Sequence, residues 1–494
     1  MLIFGVLAVL FFSCKEPDPD PPEPYGGPFP EDYAPSQKKT FRALNYTNKT
    51  YYNVDAVMLA SNDLCEVWVE FYTGVHKETA ESIAAEYKNN IYPKMISTFS
   101  EEGGVYDEIE DEDYDDIMDF ALSYFAQNQT KLSILLLDMK DGYHPSNNPS
   151  YLAGVFDPVN MASKTNEPNS NERVMIYLDT NPVAPGSKEM YMTLAHEMQH
   201  LMNFAYSWIY RYDEDVQDVL YMDTWIDEGL SAAAEWWLYN EHPEEKWKWY
   251  NQNGGYGMKG SIDVGNNFFV WGNRTTELDD YATVYLFFQW LRLQSNKGIY
   301  LDIITSTDYD YYAVTEAAYI INNSKYDSGG WSALLGDWLA ANYINAASGL
   351  YGYRNDSVLK QIKAPSAPSG LTSLNLYPGE GVYSKANTQP TISGQGTNIV
   401  NVYLTTTLNT SFQAGSVLLT YNKKTVSGYD PTFKTDSGTT EKGVITGVAA
   451  ASINQGGRFI ASLSGSFRID ARDMLRRNGV ERNVPNINSR RVVR

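Results

Sequence analysis

The run Thr193-Leu-Ala-His196-Glu197-Met-Gln-His200-Leu-Met-Asn-Phe204 constrains this chain more than any other stretch, because it sets H-E-x-x-H inside a strongly apolar segment. On an α-helix, residues four apart lie on one face. His196 and His200 are therefore within reach of one metal ion, and Glu197 flanks the same point. Two neutral imidazoles are good zinc ligands, but a catalytic centre needs a third protein ligand and an open position. Downstream, Trp225-Ile-Asp227-Glu228-Gly229-Leu-Ser231 offers Glu228, with Asp227 as the competing acid. The chain has only five histidines, so the spacing is not an accident of abundance. Two histidines and a glutamate in an apolar run would also be costly to bury without a shared partner.

These two motifs resemble the hyicolysin-type (M30) family of zinc metallopeptidases, within the gluzincins. The likeness extends from about Val67 to Arg292. It implies an α+β fold: a zincin-like catalytic domain of mixed sheet, active-site helix and helical lower lobe. It also implies zinc held by His196, His200 and Glu228, with Glu197 as the general base. Asp227 points elsewhere on its helix, so geometry and resemblance together favour Glu228. Many gluzincins fix a ligand histidine with an acid four residues after the ligand glutamate. That position is Ala232 here, and Glu235, seven on and back on the same face, is the expected substitute. Related enzymes carry a tyrosine on a following helix as oxyanion donor, which implies Tyr281, with Tyr285 behind it. In a chain with 38 tyrosines, simple packing of either is an equal expectation. By the same resemblance Val174–Asp179 is the edge strand that lines the cleft and pairs with extended substrate, with ordinary sheet core as the equal alternative.

A length of 494 residues exceeds one ordinary core and predicts two or three domains. The formal charge of −23 excludes a nucleic-acid partner, which needs a basic footprint. Solvation of an exported protein explains the acidity, ahead of a preference for basic substrates. Residues 2–12 form an apolar run of signal-peptide length, too short to span a bilayer. The Ser13-Cys14 step before a Pro-rich acidic stretch resembles a bacterial lipobox, although Phe11-Phe12 depart from its usual residues and no Lys or Arg precedes the run. Cys14 is accordingly the expected lipidation site, placing the protein in the bacterial cell envelope, facing the periplasm or cell surface, with plain secretion as the alternative. Cys65 is then unpaired and expected to be buried.

Composition divides the chain into a signal peptide (1–13), a Pro/acidic tether (14–38), the metallopeptidase domain (39–362), a Pro/Ser linker (363–370), a β-sandwich (371–470) and a basic tail (471–494). The tether runs almost directly into catalytic-domain sequence, so no long inhibitory prosegment is expected. Helical periodicity marks 77–99, 187–210, 223–239, 280–292, 314–321 and 331–345, and 131–138 reads as a buried strand. Residues 251–272 read as a surface loop. The carboxylate-rich run 106–116 raises calcium (Ca2+) as a second cofactor, but it lacks EF-hand spacing and is read as a solvated segment. His76, His144 and His242 are assigned to surface or core.

The function expected is a monomeric zinc (Zn2+) metalloendopeptidase cutting extracytoplasmic polypeptides. The alternatives are a surface-binding lipoprotein with a catalytically weak zincin domain, or a metal-dependent non-peptide hydrolase. Retention of Glu197 argues against the binding protein, since a structural zinc site needs no base.

Overall fold

The structure is a computed structural model. It describes residues 33–425 and 458–462, apart from 72, 108–111, 127–128, 148–150, 214–217, 254–267, 270–277, 296–297, 327–329, 365–372, 375, 377, 386–390 and 393–395. Cys14, the tether up to residue 32, the basic tail and most of the 251–272 loop lie outside the described residues.

The chain opens with an antiparallel meander, β1 (Lys38–Asn45), β2 (Thr50–Ser61) and β3 (Cys65–Glu70). Phe41 pairs with Val54 and both are buried, as the two-residue strand period requires of one covered face. α1 (Lys77–Glu86) and α2 (Tyr92–Phe99) follow as one helical run interrupted by a π-turn at Tyr87–Ile91. Pro93 at the start of α2 supplies no N–H to the helical ladder, which accounts for the break within the predicted 77–99 helix. A short hairpin, β4 (Val105–Asp107) and β5 (Glu112–Tyr114), leads to α3 (Ile117–Phe125), where the Asp116 side chain accepts from the N–H groups of Met118 and Asp119. That cap absorbs one carboxylate of the acidic run.

β6 (Leu132–Leu137), β7 (Tyr151–Phe156) and β8 (Met175–Asp179) complete the main sheet with a C-terminal strand, β17 (Arg458–Ser462), in the order β1-β2-β3-β6-β8-β7-β17. β8 is parallel to β6, antiparallel to β7 and buried at every residue. Of the two readings open for 174–179, sheet core is the one observed. Both edges of β8 are already paired, so it cannot add a substrate strand. An uninterrupted apolar run is what a strand covered on both faces requires.

α4 (Lys188–Tyr210) crosses the sheet, its first turn capped by the Ser187 hydroxyl, which accepts from Met190 N at 3.2 Å. The small hairpin β9 (Tyr212–Asp213) and β10 (Asp218–Val219) precedes α5 (Thr224–Tyr239), which ends on Asn240 in the left-handed region at φ 54°. α6 (Glu244–Lys248), α7 (Leu278–Gln294), α8 (Gly298–Ile304), α9 (Tyr311–Ala318) and α10 (Trp331–Ile344) build the helical lobe. An aromatic cluster of Trp225, Phe268, Phe287, Phe288, Trp331 and Trp338 ties α5, α7 and α10 together. Gly229 permits this approach: a Cβ there would stand 2.3 Å from the Phe288 ring.

Beyond residue 372, β11 (Ser373–Leu374) pairs with β13 (Thr391–Ile392), while β12 (Gly381–Lys385), β14 (Ile399–Leu404), β15 (Leu408–Asn409) and β16 (Val417–Asn422) form a four-stranded sheet in the order β12-β16-β14-β15. It packs on α10: Tyr383 Oη donates to Leu339 O at 2.7 Å and Tyr421 Oη to Ser332 O at 3.0 Å. β17, which lies inside the 371–470 segment expected to form the β-sandwich, pairs with β7 of the main sheet and not with this one. Among the described residues, no helix is long and apolar enough to cross a membrane. Cys65 is buried and free, as expected, and burial pushes its thiol up to about 12.

Candidate metal centre

α4 brings His196 and His200 together one turn apart, with ring centroids separated by 4.8 Å. α5 crosses α4 so that Glu228 Oε2 stands 3.3 Å from His196 Nε2 and 3.7 Å from His200 Nε2. All three residues are buried, and among the described residues they are the group whose donor atoms converge closely enough to hold a metal ion. The acidic 106–116 run contributes no such group, though residues 108–111 lie outside the described ones.

The fit to a metal is visible in the donor atoms themselves. His196 Nε2, His200 Nε2 and Glu228 Oε2 have no hydrogen-bond partner although all are buried. Orphaned polar atoms of this kind are costly, and a shared cation relieves all three at once. The opposite ring nitrogens are committed. His196 Nδ1 lies 2.9 Å from Glu235 Oε1, and His200 Nδ1 lies 3.0 Å from both Asp227 Oδ2 and Ser231 Oγ. A proton on each Nδ1, donated outward to a carboxylate, leaves the Nε2 lone pair facing the centre.

Burial drives His196 down to about 3, which keeps it neutral. Burial alone would lower His200 too, but the carboxylates of Asp227 and Glu228 outweigh it and raise the ring to about 10. The two directions have different causes: burial prevails at His196, whereas around His200 the carboxylates favour a cation, whether proton or metal.

Glu197 lies beside this group. Its Oε2 accepts from Phe156 N at 2.7 Å, its Oε1 has no hydrogen-bond partner, and burial raises its carboxyl to about 8. β7 therefore borders the site. Gly154 allows the close approach, since a Cβ would fall 2.5 Å from Thr193 Cγ2 and 3.2 Å from Glu197 Cγ.

Tyr281 is brought in from α7, its hydroxyl 3.4 Å from Glu228 Oε1. Tyr285 is not at the centre: it lies 2.6 Å from His242 Nδ1, and His242 Nε2 reaches Asp356 Oδ1 at 3.1 Å. His242 is thus a hydrogen-bonded core residue, while His76 and His144 are exposed. Glu235 stands where the helical period placed it, behind His196.

Asp227, the alternative ligand, stands behind His200 and outside the group of converging donors, accepting from Asn203 Nδ2 at 2.6 Å. Arg211 in turn donates to Asn203 Oδ1 at 3.1 Å and Ser207 Oγ at 2.8 Å. Asn203, Ser231 and Arg211 went unassigned in the sequence. Asn203 follows His200 by three residues on the same helix, which was the one local signal.

A buried centre with two imidazoles from one helix, a carboxylate from the next and a second carboxylate alongside is the donor set of a mononuclear metal-dependent hydrolase. The family model described as Peptidase M30 matches residues 57–358, more than half of the chain, and the chain belongs to that family. The neutral metalloprotease ShpI of Staphylococcus hyicus is similar to this chain at 27% identity over 266 residues, covering 53% of this chain and 52% of that protein. The match thus spans about half the length of that relative.

Proposed function

We propose that this chain is a zinc-dependent metalloendopeptidase with a zincin-like catalytic domain, hydrolysing peptide bonds of extracytoplasmic polypeptides. The observation that carries the reading is the convergence of three orphaned donor atoms, from His196, His200 and Glu228, beside the carboxylate of Glu197. The name of the similar Staphylococcus hyicus protein supports a polypeptide substrate. Zinc, when bound by these three residues, would acidify water and polarise a carbonyl.

The chain's own groups do the rest. The Phe156 amide fixes one oxygen of Glu197, leaving the other to take a proton from water and return it to the departing amine. Burial raises the Glu197 carboxyl, and the positive charge of a bound zinc would draw it back, so the group can both take and return a proton. Tyr281 Oη, beside Glu228, is the donor assigned to the developing oxyanion. Glu235 and Asp227 hold the imidazoles in their ligating tautomers.

Zinc content and casein hydrolysis of the chain from Lys15 test this. About one zinc per chain and cleavage that chelation abolishes and zinc restores are expected. A protein that binds zinc but cuts no peptide of a varied set would favour a non-peptide hydrolase or a binding lipoprotein, and one that takes up no metal would end the proposal.

Beyond the catalytic part, the four-stranded sheet after residue 380 is proposed as part of a β-sandwich. The apolar run ending at Cys14 supports export and lipid anchoring in the bacterial envelope. Palmitate labelling of the full chain, lost in Cys14→Ser, is the expected result; equal labelling of both, or of neither, would remove the anchor.

A further inference from the structure

Lysine is rarely buried fully, because its ammonium forfeits water and must be compensated. Lys246 on α6 is 6% exposed. Its Nζ lies 3.6 Å from Glu235 Oε1 and 4.8 Å from the centre of the Tyr281 ring. The same Glu235 oxygen stands 2.9 Å from His196 Nδ1, and the Tyr281 hydroxyl stands 3.4 Å from Glu228 Oε1. One ammonium therefore touches the acid that orients a ligand histidine and the ring that presents a phenol to the ligand carboxylate.

The arrangement has a counterpart behind the other histidine. Arg211, 2% exposed, holds Asn203, which holds Asp227, which faces His200 Nδ1. Each imidazole is thus backed by an acid and, further out, by a buried cation. The two relays differ in one respect. Arg211 ends on backbone carbonyls of Ile304 and Ser306, away from the centre, whereas Lys246 turns back toward it through Tyr281.

We propose that Lys246 is a positioning residue that sets two parts of the centre at once, the Glu235–His196 pair and the phenol of Tyr281. It does so by a charge-assisted contact on one side and a cation–π contact on the other. The inference rests on the metallopeptidase reading and deepens it. A methionine at 246 keeps the length and apolar stem of the side chain but offers neither contact. An arginine keeps the charge, and its planar head can both pair with a carboxylate and stack on a ring.

The test measures zinc affinity by chelator competition, and kcat and KM at saturating zinc, for wild type, Lys246→Met, Lys246→Arg, Tyr281→Phe and Lys246→Met/Tyr281→Phe, with thermal melting as a check on folding. Lys246→Met is expected to weaken zinc about 10-fold, as loss of an outer partner does. It should also lower kcat about 10-fold with KM within about twofold, the pattern of a lost transition-state interaction. Lys246→Arg should recover most of both. With Tyr281 already Phe, the further loss of kcat from Lys246→Met should vanish, while the loss of zinc affinity should persist. A Lys246→Met protein that melts earlier but keeps zinc affinity and kcat within twofold makes Lys246 merely structural and overturns the proposal. Losses of kcat that multiply in the double variant overturn it as well, since Lys246 would then not act through Tyr281. A wild type without zinc sinks the metallopeptidase reading and this inference together, whereas a zinc-loaded, active wild type with a silent Lys246→Met sinks the inference alone.

Discussion

Glu197→Gln is expected to keep its zinc and lose about 10²–10⁴-fold in kcat, the usual contribution of a positioned general base. The substitution is close to isosteric, and the amide oxygen of glutamine can still accept from Phe156 N, so the contact between β7 and α4 survives. Glu197 is not among the three converging donors, so its charge is not needed to ligate the metal. What disappears is a group that can take a proton, at an oxygen that now has no partner. Burial makes the effect large: Glu197 is buried, so a base from the buffer does not readily take its place. Zinc content by elemental analysis and peptide hydrolysis by initial rates measure it. A Glu197→Gln protein that retains zinc and hydrolyses within about tenfold of wild type would move the base elsewhere. A variant that loses zinc as well would show that Glu197 supports the metal and not only the proton transfer.

How far the chain disclosed this site depends on whether each contact is local or made at a distance. The pairing of His196 with His200 is a property of one helix, and so is the return of Glu235 to the face of Glu228, since both follow from 3.6 residues per turn. The start of α4 was legible because Ser187, which follows Pro185-Gly186 in the sequence, caps the first turn. Asp227 was not legible in its role. Periodicity says that it leaves the face of Glu228, but only the crossing of α4 over α5 decides that it meets His200 Nδ1. Tyr281 and Tyr285 lie one turn apart on α7, yet one reaches Glu228 and the other His242, because each ring goes where the neighbouring helices leave room. Lys246 sits in Glu-Glu-Lys-Trp-Lys, where nothing local marks one lysine for burial, and it is covered where α6 packs against α7. The apolar run Val174–Leu178 shows no alternation, which marks a strand with both faces covered, and only Asp179 at the end of β8 departs from it. The C-terminal strands at 399–404 and 417–422 follow their apolar pattern, whereas the contacts of Tyr383 and Tyr421 with α10 are tertiary and left no local trace.

The second large effect separates the two acids that stand next to one another on α5. Glu228→Ala is expected to weaken zinc far beyond the roughly 10–100-fold that loss of an outer partner costs, while Asp227→Asn stays inside that range. The difference follows from direction. Glu228 Oε2 faces both Nε2 atoms with no hydrogen bond to compensate its burial, so its removal deletes a donor atom that nothing nearby replaces. Asp227 faces the far nitrogen of His200 and accepts from Asn203, so asparagine keeps an oxygen for the ring but loses the charge and the bond from Asn203, to which it turns its own amide nitrogen. Burial alone would raise the Asp227 carboxyl, but the His200 ring beside it holds it below its ordinary value, so the acid is ionised at neutral pH and its charge is what Asn removes. Ser231 Oγ, also 3.0 Å from His200 Nδ1, limits the loss further by offering the ring a second acceptor. Chelator competition at fixed pH ranks the two variants. If Asp227→Asn releases zinc more readily than Glu228→Ala, the ligand and its supporting acid have been assigned the wrong way round, and the oxygen facing both Nε2 atoms would not be what holds the metal.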